Sequence, residues 1–396
     1  MGDVDRIQNA ARKVIAKHKQ GFQMVVVVSA MAGETNRLLA LADAIDSRAS
    51  ARERDMLASA GEQVSIALMA IALQGMGQES ISFTGPQVGI ITDEVFGQAR
   101  IKSIDDSRIR AELDKGKVVV VAGFQGLEPL SGDITTLGRG GSDTSGVALA
   151  AALGADECEI YTDVDGVFTA DPNVVPGARK LDKISYDEML ELASMGAKVL
   201  HHRAVEFAKK YNVPLHVRCS FNDKPGTWVI EEVPEMERLL VSGVTSNTNE
   251  AKVSLLGVPD HPGVAAKVFE TIAAKNILID MIIQNVAADG LNDISFTVPK
   301  KALDDILDMQ DELIRAVEAK EMVADKDIAK VSVIGVGMRS HCGVAAKMFS
   351  TLAAEEINIE MISTSEIKIS CLIREEQAKL AVQRLCKAFD LVAEEA

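Results

Sequence analysis

The chain has 396 residues, 47% of them hydrophobic, and its 42 basic and 58 acidic side chains give a formal charge of -16. That length exceeds what one core usually supports and predicts two or three domains. The acidic balance argues against nucleic acid or an anionic membrane as a partner, so positive charge for any anionic ligand must be supplied locally.

From Asp3 to about Lys19, Val4, Ile7, Val14 and Ile15 recur at helical spacing among charges and predict an amphipathic helix. No hydrophobic signal core stands here, and no apolar run approaches the roughly 18 residues of a membrane span. The longest is residues 64–73, so a cytoplasmic protein is expected. Next comes MVVVV (24–28), whose continuous apolar character predicts a strand buried on both faces. KVVVVAGF (117–124), ECEIYTD (157–163) and VPLHVRC (213–219) repeat the type, with helical stretches between them at 59–73 and 186–208. Alternating buried strands and helices predict an α/β domain with a mostly parallel sheet, whose ligands bind at the carboxyl ends of the strands.

Those strand ends carry the chemistry. SAMAGETN (29–36) follows the first strand, and TDVDGVFTADP (162–172) follows ECEIY. After KVVVVAGF comes GDITTLGRGGSDTSGVALAAALGAD (132–156), in which glycines surround Arg139 and Ser142, Asp143 and Thr144 read as a helix start. A glycine loop feeding a helix can cradle phosphate or carboxylate, and an arginine fork can grip a carboxylate with two bonds. Cys158, Cys219, Cys342, Cys371 and Cys386 are scattered without C-x-x-C spacing, so reduced thiols are expected, and the pair His201-His202 lacks a metal-ligand constellation.

Beyond Pro225-Gly226 and Pro234 the character changes. DHPGVAAKVFETIAAKNILIDMI, from Asp260, recurs about 80 residues later as SHCGVAAKMFSTLAAEEINIEMI, from Ser340. Each copy is flanked by strand-like segments (AKVSLLGV and LNDISFTV; AKVSVIGV and EIKISCLI), the order of a split βαβ, ferredoxin-like unit.

Taken together, VSAMAGETN, SAGEQVS, GFQG, TTLGRGGSDTS, YTDVDGVFTADP and MGAKVLHHRA, followed by the repeat, resemble the aspartate kinases of the amino-acid kinase superfamily over essentially the whole chain. The resemblance implies a catalytic domain over residues 1–235 with an α/β sandwich fold, then two ACT-type regulatory modules of βαββαβ form at 236–327, including a linker, and 328–396. It implies transfer of the ATP γ-phosphoryl group to the side-chain carboxylate of L-aspartate, on the route to lysine, threonine and methionine, with Mg²⁺ accompanying the nucleotide. By the same resemblance, Thr35, Glu62, Arg139 and Ser142 stand where aspartate is contacted, and Asp143 matches a catalytic aspartate that orients a lysine and the metal. Thr162, Asp163, Phe168 and Lys198 stand at nucleotide-contacting positions, and Asn173 replaces an arginine common there. An effector, lysine or threonine, is expected at a cleft between modules. Its candidates are Asp260, Gly263, Asp280 and Gln284 in the first copy and Asn358, Ile359, Thr364, Ser365 and Glu366 in the second. ACT modules usually pair across chains, so a dimer or larger homo-oligomer is expected. The family's opening strand and Lys-x-Gly-Gly-Thr-Ser loop have no counterpart before Met1-Gly2-Asp3, so a catalytic domain short of that strand and loop is expected. A kinase for glutamate or acetylglutamate, and a regulatory amino-acid-binding chain without catalysis, are the alternative readings.

Overall fold

The computed structural model describes residues 1–194, 199–234, 236, 239–286 and 290–393. They form two units, the first from Met1–Val167, Asp182–Ala193 and residues 199–232, the second from Phe168–Leu181, Ser194 and the described residues from Val233 onward.

The first unit opens with α1 (Val4–His18), where the Asp3 carboxylate accepts the Arg6 N–H at 2.8 Å and Lys17 and His18 occupy the negative end of the helix dipole. Strand β1 (Val25–Val28), helices α2 (Glu34–Ile45) and α3 (Ala51–Gly75) and strand β2 (Ser80–Phe83) follow. Then come β3 (Ile90–Thr92), β4 (Ile101–Ile104), α4 (Ser107–Leu113), β5 (Val118–Ala122), β6 (Gln125–Leu127), β7 (Ile134–Thr136) and α5 (Gly141–Leu153). The unit closes with β8 (Cys158–Thr162), β9 (Lys183–Ser185), α6 (Tyr186–Ser194), α7 (His202–Tyr211), β10 (Leu215–Cys219) and β11 (Thr227–Ile230).

Three sheets result: a parallel β1-β5-β2, a mixed β8-β10-β11-β9 and a small mixed β4-β3-β6-β7. The period of two divides β5 between two cores. Val118, Val120 and Ala122 meet Ile7, Ile66, Met69 and Leu73 of α1 and α3, while Val119 and Val121 meet Phe83, Ile109 and Leu149 on the other face. β5 is therefore wholly buried, as its apolar run predicts. The similar run in β1 behaves differently: Val25, Val26 and Val27 are only half-buried, because β1 lies at the margin of its sheet.

Two further expectations need correction. The helical stretch expected over 186–208 is two helices, α6 and α7, with extended backbone at His201. Helix α3 is longer than expected, and by length and composition alone an 18-residue window of it, with mean hydropathy 1.6, is apolar enough to cross a membrane. Ile66, Met69, Ala70 and Leu73 instead bury that apolar face in the core beside β5.

In the second unit, β12 (Gly243–Asn247) precedes β13 (Glu250–Pro259), α8 (Val264–Ala273), β14 (Ile282–Val286), β15 (Leu291–Pro299), α9 (Leu303–Asp308), α10 (Gln310–Val317) and β16 (Glu321–Asp325). The second copy supplies β17 (Ile328–Ile334), α11 (Val344–Ala354), β18 (Met361–Thr364), β19 (Lys368–Arg374) and α12 (Ala378–Ala388). Both sheets are antiparallel, ordered β14-β15-β13-β16 and β12-β17-β19-β18. The fourth strand of the second sheet is thus β12, which precedes the first copy in the chain, and the expected boundary at 327/328 is crossed by that one strand. Met281, Ile328, Met361 and Leu372 form a small apolar cluster joining the two copies. Beside it, Lys330, 3% exposed, gives its ammonium to Glu250 at 2.6 Å and to Asp280, and Lys252, its counterpart in the repeat, reaches Glu360, the counterpart of Asp280, at 2.5 Å.

Candidate active site

The carboxyl ends of β1 and β5 are held side by side by the Gly123 N–H, which donates to the Val28 carbonyl at 3.0 Å. Gly123 lies so close to α5 that a Cβ there would stand 2.9 Å from Ser142 Cα, Cβ and Oγ, and this close approach brings the start of α5 to the strand ends. Helix α5 begins one residue earlier than expected, at Gly141, with Gly140 at its cap in the left-handed region (φ 67°) and no side chain capping the free N–H groups. The hydroxyls of Thr144 and Ser145 instead donate back to the carbonyls of Gly140 and Gly141, so the helix start stays open to an anion. Gly140 also has no room for a side chain, because a Cβ would fall 2.2 Å from that of His201.

Around this junction stand the substrate positions expected from the sequence. Thr35, half-buried, is in the first turn of α2, immediately beyond the loop that leaves β1. Glu62, on α3, is 2% exposed; its Oε1 accepts the N–H of Ala30, in that same loop, at 3.2 Å, and its Oε2 has no hydrogen-bond partner. Burial pushes its carboxyl up to about 7, the Ala30 bond opposing only in part. Arg139 is exposed, with no ion-pair or hydrogen-bond partner among the described residues. Ser142 and Asp143 are half-buried in the first turn of α5. Desolvation lifts Asp143 to about 6, against the pull of the His201 main-chain N–H that it accepts. One carboxylate with a free oxygen, one guanidinium unpaired among the described residues and an uncapped helix start suit a small ligand carrying both an ammonium and carboxylates.

Sequence reasoning missed the residues that hold these groups. Asp55, 3% exposed on α3, accepts the N–H of Gly97 at 2.8 Å and both the N–H (2.7 Å) and the hydroxyl (2.8 Å) of Thr136. Arg203, on α7, donates to the carbonyls of Leu137 and Ala99. Gln125 donates to the Ser59 carbonyl at 3.0 Å, one turn before Glu62. Arg203 falls inside the quoted MGAKVLHHRA motif, whereas nothing local distinguishes Asp55.

Of the nucleotide positions, Thr162 ends β8 and its hydroxyl donates to the exposed Asp163 carboxylate at 3.1 Å. Phe168 belongs to the second unit, bridged to Lys180, and Asn173 turns its amide onto Asp171 at 2.9 Å. Lys198 lies outside the described residues. Among the described residues the one cluster with metal-ligand spacing is Glu157, Glu159 and His216, and Lys17 and Arg218 already neutralise its carboxylates at 2.8–3.2 Å. All five cysteines are free thiols.

In the second unit, Asp260 accepts the Asn292 amide at 2.8 Å, and Gly263 caps α8 in the left-handed region (φ 96°). Gln284 is exposed on the edge strand β14, Asn358 and Ile359 precede β18, and Thr364, Ser365 and Glu366 are exposed at its far end. Asp280 is not a free carboxylate, since it takes the Lys330 ammonium. Arg339 approaches Glu366 at 3.5 Å.

Residues 1–219 match the Amino acid kinase family, and residues 253–307 and 331–389 match the ACT domain. The chain is 55% identical over 394 residues to an aspartate kinase of Pseudomonas putida, covering 99% of this chain and 96% of the relative. Among solved structures it resembles Escherichia coli aspartokinase III in complex with aspartate and ADP, at TM-score 0.81 and 27% identity over 98% of this chain and 97% of the other. The same enzyme in complex with lysine and aspartate gives a TM-score of 0.75, also at 27% identity, with the same coverage.

Proposed function

Since the chain belongs to the amino acid kinase family and, within it, to the aspartate kinases, we propose that it phosphorylates the side-chain carboxylate of L-aspartate with ATP, giving 4-phospho-L-aspartate and ADP. The observation that carries this reading is the buried Glu62 carboxylate, half of it unpartnered, held to the loop that leaves β1. In the reaction, Glu62 receives the substrate's ammonium, Arg139 grips its α-carboxylate with two N–H groups, and Thr35 and Ser142 hydrogen-bond the remainder. The side-chain carboxylate carries no proton at neutral pH, so its oxygen needs no general base. The new O–P bond forms as the bond from the γ-phosphorus to the β,γ-bridging oxygen breaks, and that electron pair leaves with ADP. Catalysis is then a matter of position and charge.

Asp143 orients the catalytic lysine and the metal, and because its half-buried carboxylate accepts the His201 main-chain N–H, lone pairs remain for Mg²⁺; Lys198 is the candidate to reach the phosphates. When bound, Mg²⁺ supplies positive charge at the phosphates. Thr162, Asp163 and Phe168 are the remaining proposed nucleotide contacts. The work suits a cytoplasmic enzyme at the entry to lysine, threonine and methionine synthesis. Lysine or threonine acts at the candidate positions of the repeat, and the modules pair chains into at least a dimer. The relative solved with both lysine and aspartate supports the regulatory half of this reading. In steady-state kinetics Arg139→Ala should raise KM for aspartate by about 30-fold or more, from a charge-assisted pair worth about 2 kcal/mol, with KM for ATP nearly unchanged. Equal rises in both constants would overturn the assignment.

A further inference from the structure

Arg139 has no side-chain partner among the described residues, so the main chain that carries it is what positions the root of the side chain. The stretch leading into it, through Thr136 and Leu137, is gripped by two side chains of opposite charge. The segments around Gly97–Ala99 and Thr136–Leu137 are joined by the Ala99 N–H, which donates to the Thr136 carbonyl at 2.9 Å. Onto the donors of this junction Asp55 lays one buried carboxylate, taking the Gly97 N–H, the Thr136 N–H and the Thr136 hydroxyl. Onto its acceptors Arg203 lays one guanidinium, donating to the carbonyls of Ala99 and Leu137. A carboxylate only accepts and a guanidinium only donates, so the two side chains satisfy complementary halves of the same main chain.

We infer that Asp55 and Arg203 form a main-chain clamp that positions Arg139 for the substrate's carboxylate, two residues beyond Leu137. They are positioning residues for aspartate recognition and touch neither substrate. The inference rests on the reading of Arg139 given above. Lysine at 203 does not reproduce the clamp, because it offers a point charge where a planar fork spans two carbonyls. Asparagine at 55 can, since both N–H groups share one carboxylate oxygen and the other meets only the Thr136 hydroxyl, which can accept from an amide; alanine at 55 removes that half of the clamp.

The test compares Arg203→Lys, Arg203→Ala, Asp55→Ala, Asp55→Asn and Arg139→Ala in the full chain, with aspartate and ATP varied separately. Arg203→Lys and Asp55→Ala should raise KM for aspartate about tenfold or more, as expected for a misplaced binding group, while KM for ATP stays within about twofold and Asp55→Asn stays near the wild type. Millimolar guanidinium ion should restore part of the aspartate affinity to Arg203→Ala and do nothing for Asp55→Ala. A parallel rise in both KM values, or a loss of thermal stability with unchanged KM for aspartate, would overturn the clamp. So would failure of guanidinium to act on Arg203→Ala. A normal KM for aspartate in Arg139→Ala would remove the underlying assignment and the clamp with it, whereas a raised one beside normal clamp variants removes the clamp alone.

Discussion

Glu62→Gln should make the protein more stable above pH 7 and worse at binding aspartate. The folded environment raises the Glu62 carboxyl from 4.5 to about 7, chiefly by desolvation. A group whose folded value is raised holds its proton more tightly in the folded than in the unfolded chain. Its contribution is therefore most favourable below pH 4.5, declines as pH rises from 4.5 to 7, and is level above that. With about 1.4 kcal/mol for each tenfold in proton affinity, ionising this one carboxyl in the empty site costs about 3 kcal/mol. Glutamine avoids that cost and keeps an oxygen for the Ala30 N–H. The assay is thermal unfolding of both proteins across pH 4.5–8.5 without substrate. The variant's advantage should be absent near pH 4.5 and grow to several degrees in melting temperature by pH 8. The substrate's ammonium should reverse the balance, since aspartate selects the ionised carboxylate and stabilises the wild type more than the variant. A stability difference between the two proteins that does not change with pH would refute the reasoning.

Aspartate binding to the wild type should release protons at pH 6.5 and progressively fewer above pH 7.5, read as a dependence of calorimetric heat on the buffer's ionisation enthalpy; no buffer dependence contradicts an ionised Glu62. Asp143→Asn should lower kcat by about 10²-fold with KM for aspartate little changed, and a change confined to KM would make Asp143 a binding residue. Lys330→Met leaves Glu250, 6% exposed, charged without its ammonium and should cost about 3–5 kcal/mol in denaturant unfolding; a loss under about 1 kcal/mol would mean that water or another cation reaches the pair.

What the sequence makes legible is what local pattern encodes. The Asp3 cap, the buried Val118–Ala122 strand and the Gly-rich entry to α5 all follow from residue type and period. The repeat likewise announces two similar modules. What stays hidden depends on distant partners. The segment Gly243–Asn247 has no apolar alternation to mark it as the fourth strand of a sheet begun more than 80 residues later. The failed expectation for β1 has the same origin, since four valines predict burial, but exposure depends on which strands stand beside them. Glu62 and Arg139 enter through motif resemblance, whereas Asp55 binds main-chain groups 42 and 81 residues further on, and main-chain donors carry no sequence signature. Lys252 and Lys330 look alike in the repeat, but only the folded pairing shows that Asp280 is already engaged by a lysine of its own chain.

The central claim is that the site around Glu62 and Arg139 presents the side-chain carboxylate of aspartate to ATP. Its most direct test supplies ATP labelled in the γ-phosphate and traps the acyl phosphate with hydroxylamine. The account predicts that β-aspartyl hydroxamate and ADP form in equal amounts with L-aspartate, that neither forms with L-glutamate or N-acetylglutamate, and that Arg139→Ala requires far more aspartate for the same yield. Hydroxamate formed as readily from glutamate, or ADP released independently of aspartate, would contradict it.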